Sequence, residues 1–524
     1  MALTPRHARR AAMQPLPDFP LAVPRLRWLI ATHAFGIPHP IMKRTSLNPH
    51  REPCESLAPA SLFQSPMLTD RRDFLRRSVL AAGACIAGSG IAQTPDDRPA
   101  KNADVTVLNP RSRVPVSLII DDSTVLVNLN RFAIPQFDAV HRGANPIYQR
   151  NWREWPAEIP DSFVRKFAEW SAENGVKGKY SVVPFPACVG RLDRGLPGWS
   201  QRDLDDGLKL VREAMLPNWD IHPEMLTHTR IIDTKTGHPF PEISPKFMEN
   251  WEWTTGRSAD EIAEYMAYAL RILKNVGLPC EGITTPGGFG KKARPQMIQA
   301  VYQAVHEVFG TEIPNYFTDL FTEPGKSVAP IVQGVAGLDG SDPRCSVYIP
   351  GCTGDWTGGW DCITPAGADK FITADGQHGR MVDVIASGEP ALMFGHWTGI
   401  YFNGYELGFK IFEEVVQRLR KRFDNLVWMK LSEIARYWAA KELTKMERTA
   451  DGIAFSAPFA SPDFTVRWKG TPAQPPTLTA GAARTELQRV NTALKLAPGT
   501  WCADGEHSIA CFALPKGESK LRAA

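Results

Sequence analysis

Two histidines and two carboxylates fall within the ten residues Trp219, Asp220, Ile221, His222, Pro223, Glu224, Met225, Leu226, Thr227 and His228. Imidazole nitrogen and carboxylate oxygen are the donors that bind divalent transition metals, so this run has the composition of half a metal site. About a hundred residues upstream an apolar run, 116–120, ends abruptly in Asp121, Asp122 and Ser123. Two further segments stand at the ends of short apolar runs: Thr285, Pro286 and Gly287, and the stretch Leu392, Met393, Phe394, Gly395, His396. Taken singly, an Asp pair caps a turn and Pro-Gly-Gly is first of all a turn. Taken together, they supply acidic ligands, an imidazole and a proton carrier, which is what metal-assisted hydrolysis needs.

Such groups act jointly only if the chain brings them to one place. From residue 114 short apolar runs alternate with amphipathic stretches: strands at 116–120, 179–183, 219–221, 281–285, 346–349, 391–395 and 426–429, with 315–322 extended. Helices are predicted over 161–174, 203–215, 258–275, 295–308, 405–422 and 431–441, with another inside 368–387. Strand, helix, strand at this spacing implies right-handed parallel crossovers and an α/β fold, a closed or nearly closed (β/α) barrel. In such barrels chemistry gathers at the C-terminal strand ends, where all four segments fall. The stretch 123–160, with His141, Tyr148, Trp152 and Trp155, reads as a long insert, either a substrate wall or a loop packed by its own rings.

Across 114–441 the order and local form of these segments resemble the polysaccharide deacetylase family, metal-dependent carbohydrate esterases of the nodulation type. Ile119, Ile120, Asp121 and Asp122 match the strand that runs into an Asp pair in that family. Asp220 and Ile221 precede Glu224-x-x-x-His228, so that Glu224 takes the place of the first histidine of a His-x-x-x-His motif. Thr284, Thr285 and Pro286 match an Arg-x-Pro motif without its arginine, and Leu392 to His396 match the final apolar-x-apolar-x-His strand. For the fourth motif the nearest matches are Asp355-Trp356 and Trp360-Asp361.

The resemblance implies a divalent ion on Asp122, Glu224 and His228, with His222 as an alternative nitrogen ligand. It implies Asp121 as general base and His396 as general acid, in a hydrolase that removes acyl groups from N-acetylated or O-acetylated sugars or a related amide. Zn is one expected metal; the Glu ligand hardens the site towards Mn, Co or Fe. The missing arginine implies an Asp121 less well tuned as a base. Arg230 is expected to bind an anionic substrate group or pair with Asp233, and Pro286 and Trp397 to line the pocket. Two rival readings keep the scaffold: a metal-independent glycosidase that pairs Asp121 or Asp122 with Glu224, and a carbohydrate-binding protein without turnover.

Composition sets the outer limits. With 524 residues, 43% of them hydrophobic and 22% charged, the chain has the makeup of a globular protein with room for more than one domain. A net charge of +4, its excess concentrated in the first hundred residues, offers no basic face for nucleic acid. The expected partner is a carbohydrate or small amide; the oligomeric state stays open. Arg71, Arg72, Phe74 and Leu75 ahead of a mildly apolar 78–92 resemble a twin-arginine export signal, too short to remain as a membrane anchor. The expected organisation is an upstream or disordered 1–66, a signal at 67–92, a linker at 93–113, the barrel at 114–444 and a small antiparallel β domain at 445–524. Its strands are predicted at 453–456, 464–468, 477–480, 492–496 and 509–512, and its role is sugar binding or cover for the barrel. Export would place the protein in the periplasm or outside the cell; a lipid on Cys85 is the alternative. An oxidising compartment permits disulfides, first among Cys345, Cys352 and Cys362 and between Cys502 and Cys511.

Overall fold

Val114–Asp121 carries one polar residue, Ser117, ahead of its terminal Asp121, and every position is buried, as in a strand covered on both faces. The computed structural model, which describes residues 98–363 and 365–523, places this strand at the centre of the fold. Along one edge it pairs in parallel with Ala391–His396, so that His396 stands beside Asp121. Its other edge is shared, in parallel again, by Leu426–Trp428 and Gly178–Ser181, and the latter continues to Trp219–His222. A second sheet joins Gly282–Thr284, Asn315–Phe317 and Arg344–Tyr348 in parallel, with Ile331–Ala336 antiparallel at its edge.

The fold is therefore mixed α/β, with parallel strands as the alternation requires. Of the expected closed or nearly closed barrel, the closed form is not found among the described residues. The two sheets meet only at single bridges, Glu224 with Thr284 and Asp355 with Phe394. Physical causes are local: Pro223 has no N–H to donate at the first seam, and at the second the chain 351–359 carries four glycines in place of a regular strand. The export signal, the upstream 1–66 and Cys85 all lie outside the described residues.

Helices cover the strands, and two of them begin with reciprocal caps, Ser200 with Asp203 and Ser258 with Glu261. The predicted helix at 203–215 is an α-helix, Gln201–Leu210, that widens into a π turn over Val211–Met215. Inside the predicted insert lies a helix that sequence reading misses, Leu129–His141. Pro135 in its interior conceals it, since proline normally breaks a helix. Among the described residues no helix is long and apolar enough to cross a membrane.

Beyond Leu443 two five-stranded sheets enclose a separate core that includes Phe455, Phe464, Trp468 and Phe512. One of them takes its edge strand, Val105–Val107, from the segment read as a linker; it pairs antiparallel with Ser461–Lys469. The predicted strand at 492–496 is instead a 3-10 turn, Ala493–Lys495. The expected disulfides are absent: all seven cysteines after Gln93 are free. Cys502 and Cys511 sit on adjacent strands but face Ile509 and Thr500 rather than each other. Cys352 contacts Met381 while Cys362 donates to the Thr398 carbonyl, so these two thiols have separate partners.

Candidate metal centre

Asp122 follows the central strand with φ +59°, a left-handed conformation that Asp tolerates better than most side chains. The turn is held by Glu224, whose Oε2 accepts the Asp122 N–H at 2.7 Å. The other carboxylate oxygen, Oε1, lies 3.3 Å from His228 Nε2. Asp122 Oδ1 lies 2.7 Å from the same nitrogen. Buried Asp122 Oδ1 has no hydrogen-bond donor besides that imidazole. Ligand atoms of Asp122, Glu224 and His228 all lie within 4.8 Å of one another, on side chains that are fully buried. Three donors aimed at one point, one of them otherwise unpartnered, are what a divalent cation requires.

Electrostatics agree with this reading. Burial disfavours the charged imidazole, but Asp122 and then Glu224 outweigh it and raise His228 well above its ordinary value. Burial likewise opposes the Asp122 carboxylate, and His228 followed by His396 overcomes it, holding Asp122 below the usual range. A site that draws a proton between two carboxylates offers the same position to a metal ion, which would displace that proton. Two carboxylates and one imidazole form a hard donor set, suited to Mn, Co or Fe as well as Zn.

Asp121 faces a cation that sequence reading did not find. Lys179, completely buried in Gly178–Ser181, donates to the Asp121 carboxylate, to the Ile120 carbonyl at 2.9 Å and to Ser181 Oγ at 2.8 Å. Burial and then Glu224 push the Asp121 pKa up, and Lys179 opposes them. Lys179 thus sets a positive charge beside Asp121 from a strand other than the one that precedes Pro286. His396 donates through Nδ1 to Asp355 Oδ2 at 2.7 Å, while its Nε2 stands 3.9 Å from Asp122 Oδ2. Against burial, Asp122 and then Asp355 raise this imidazole to about 10. Of the two segments matched to the fourth motif, the one containing Asp355 reaches His396.

A second residue missed by sequence reading shapes the ligand loop. Glu249 is wholly buried, and its carboxylate accepts the N–H groups of Leu226, Thr227 and His228 at 2.6–3.2 Å as well as the Tyr265 hydroxyl. No local pattern marks it, because its partners are backbone groups about twenty positions earlier.

Other predicted residues lie elsewhere. His222 is buried against Gly282 and Thr284, with Nδ1 3.4 Å from Thr284 Oγ1, and is not in the cluster of Asp122, Glu224 and His228. Arg230 donates to the Phe240 carbonyl, and the Asp233 carboxylate accepts the Lys235 N–H instead. Trp397 does not line the pocket: it is fully buried against Phe163, Phe167 and Tyr180, because the chain turns into the short helix Trp397–Tyr401 directly after His396. Pro286 is buried at the start of the turn that follows Gly282–Thr284.

No protein-family model and no curated protein matches the chain. Solved structures similar to it include a probable polysaccharide deacetylase from Pseudomonas aeruginosa PAO1, at 13% identity over 63% of this chain and 91% of that one, TM-score 0.34. A 4-alpha-glucanotransferase from Thermococcus litoralis matches at 12% identity over 62% of this chain and 40% of its own, TM-score 0.33. Puue allantoinase matches at 11% identity over 63% and 91%, TM-score 0.33.

Proposed function

We propose that this chain is a metal-dependent hydrolase that removes an acyl group from an N-acetylated or O-acetylated sugar or a related amide. The observation that carries the reading is the buried convergence of Asp122, Glu224 and His228, with no other donor on Asp122 Oδ1. When bound, a divalent ion there would polarise a carbonyl and acidify water. Asp121, its charge balanced by Lys179, is the group to take the proton of the attacking water. His396, oriented through Nδ1 by Asp355, is the group to give a proton to the departing nitrogen or oxygen. The sequence motifs support a deacetylase-type (β/α) barrel as the parent scaffold, and the paired arginines at 71 and 72 support export to the periplasm or beyond. The paired-carboxylate alternative gains nothing here, since Glu224 is committed to the Asp122 N–H and to His228.

The test is metal content together with acetate release from N-acetylglucosamine oligomers. Purified protein is expected to hold about one divalent ion, and Asp122→Ala to lose it and to cut acetate release by at least roughly a hundredfold. Metal-free protein, or release unchanged in the variant, ends the reading.

A further inference from the structure

A cavity of about 320 Å³ lies outside the metal cluster: none of Asp121, Asp122, Glu224, His228 or His396 lines it. Its volume is at the lower end of the range for small-molecule sites, about 300–1,000 Å³. One wall is a single face of the helix Ala259–Asn275, which sets Tyr268, Arg271, Ile272 and Asn275 at positions i, i+3, i+4 and i+7. The loop that carries Arg191 and Arg194 forms a second wall, and the hairpin turn at 234–237 a third.

Four cations line this cavity, Arg191, Arg194, Lys235 and Arg271, and no carboxylate does. Two of the four are matched from outside it. Arg191 donates to both oxygens of Asp193, at 2.9 and 2.8 Å, and Arg271 pairs with Glu307. Arg194, which feels Asp193 only beyond ion-pair distance, and Lys235 are exposed, and neither side chain has an ion pair or hydrogen bond among the described residues. Two further acids touch the hairpin without lining the cavity: Asp233 accepts the Lys235 N–H at 3.0 Å and Glu264 the Thr234 hydroxyl at 3.3 Å.

Tyr268 adds a neutral donor. Its hydroxyl accepts Arg191 Nη1 at 2.7 Å, and its own proton has no acceptor among the described residues. Gly237, at φ +74°, brings the hairpin turn to this hydroxyl: a Cβ there would stand 3.4 Å from it.

Two unmatched cations, beside a guanidinium held in place and a hydroxyl with a proton to give, complement an oxyanion of charge about two. A monocarboxylate would leave one of the cations unanswered. We propose that this cavity binds a dianionic phosphate, free or as the end group of a small ester. A phosphomonoester approaches that charge above its second pKa, near about 6, and the volume accommodates the molecule behind the phosphate.

The experiment titrates inorganic phosphate into the purified full chain by calorimetry, at about pH 8 and constant ionic strength. Saturable binding is expected, and the double variant Arg194→Gln with Lys235→Gln is expected to weaken it at least roughly tenfold. Both side chains are exposed and unpartnered, so the thermal transition of the variant is expected to match that of the parent. Acetate is expected to bind at least roughly tenfold more weakly than phosphate in the parent. No saturation at millimolar phosphate, equal affinity in parent and variant, or equal affinity for acetate would each overturn the site; the second outcome would place the ion elsewhere, at the metal cluster included. Glycerol 3-phosphate that competes with phosphate assigns the site to an ester, and its exclusion assigns the site to the free ion.

Discussion

Three consecutive backbone N–H groups end on the carboxylate of Glu249, and the loop they hold has left-handed residues at Met225, φ +49°, and His228, φ +63°. Such conformations cost of order 1–3 kcal/mol each and persist only when their surroundings enforce them. Glu249 supplies that enforcement, which makes it a positioning residue for His228. Glu249→Gln keeps the shape but turns an amide against N–H donors. Its metal affinity, read by calorimetry on stripped protein, is expected to fall roughly 10–100-fold, with far-UV circular dichroism unchanged. Unchanged affinity would remove Glu249 from the site. The candidate ligands were legible because Glu224 and His228 sit in a short motif after a strand. Lys179 and Glu249 were not, since a lone lysine in a strand and a lone glutamate in a loop acquire meaning only from what the fold sets beside them. His222, more conspicuous in the sequence than Glu224, is taken up by strand packing against Gly282.

At the level of elements, the sheet and the helix Leu431–Leu443 are joined by Asp220, whose carboxylate accepts both the Ser432 N–H at 2.6 Å and its hydroxyl at 2.9 Å. Burial, the largest cause, pushes Asp220 up to about 7 despite these bonds. An unfolded Asp titrates near about 4, so between about pH 4 and pH 7 the native chain holds a proton that the unfolded chain has lost, and stability declines as pH rises through that window. Asp220→Asn, which keeps the Ser432 contacts, is expected to flatten part of that decline in denaturant unfolding measured at intervals across the window. An equal slope in both proteins would show that Asp220 titrates normally. Strands at this level were readable from apolar runs, and helices from their caps, as at Ser258. Leu129–His141 was hidden by Pro135, and the two-sheet seam was hidden because it depends on single bridges that leave no period in the sequence.

For the described molecule as a whole, the β-rich region after Leu443 is built into the rest rather than attached to it. Tyr437 in Leu431–Leu443 donates to the Leu108 carbonyl at 2.7 Å and receives the Thr465 N–H at 3.3 Å. Removal of 445–524 would expose Ala440, now fully buried, and strip Val105–Val107 of its partner. The truncated chain is expected to aggregate or to lose its cooperative thermal transition, as followed by circular dichroism and size-exclusion chromatography. A soluble monomer with the transition of the full chain would mark the region as an independent module. Short β runs made its class legible, whereas the recruitment of a strand from before the central sheet had no signal, because pairing at such separation is decided by edges and not by local pattern.

That recruited strand also orders events in time. Val105–Val107 is the first of the described strands to be synthesised, and its partner Ser461–Lys469 is among the last. Local contacts form early and distant ones late. Until Ser461–Lys469 leaves the ribosome, the edge groups of Val105–Val107 lack that partner and stay open to other chains. A chain that ends before Ser461 therefore keeps the edge of Val105–Val107 unpaired.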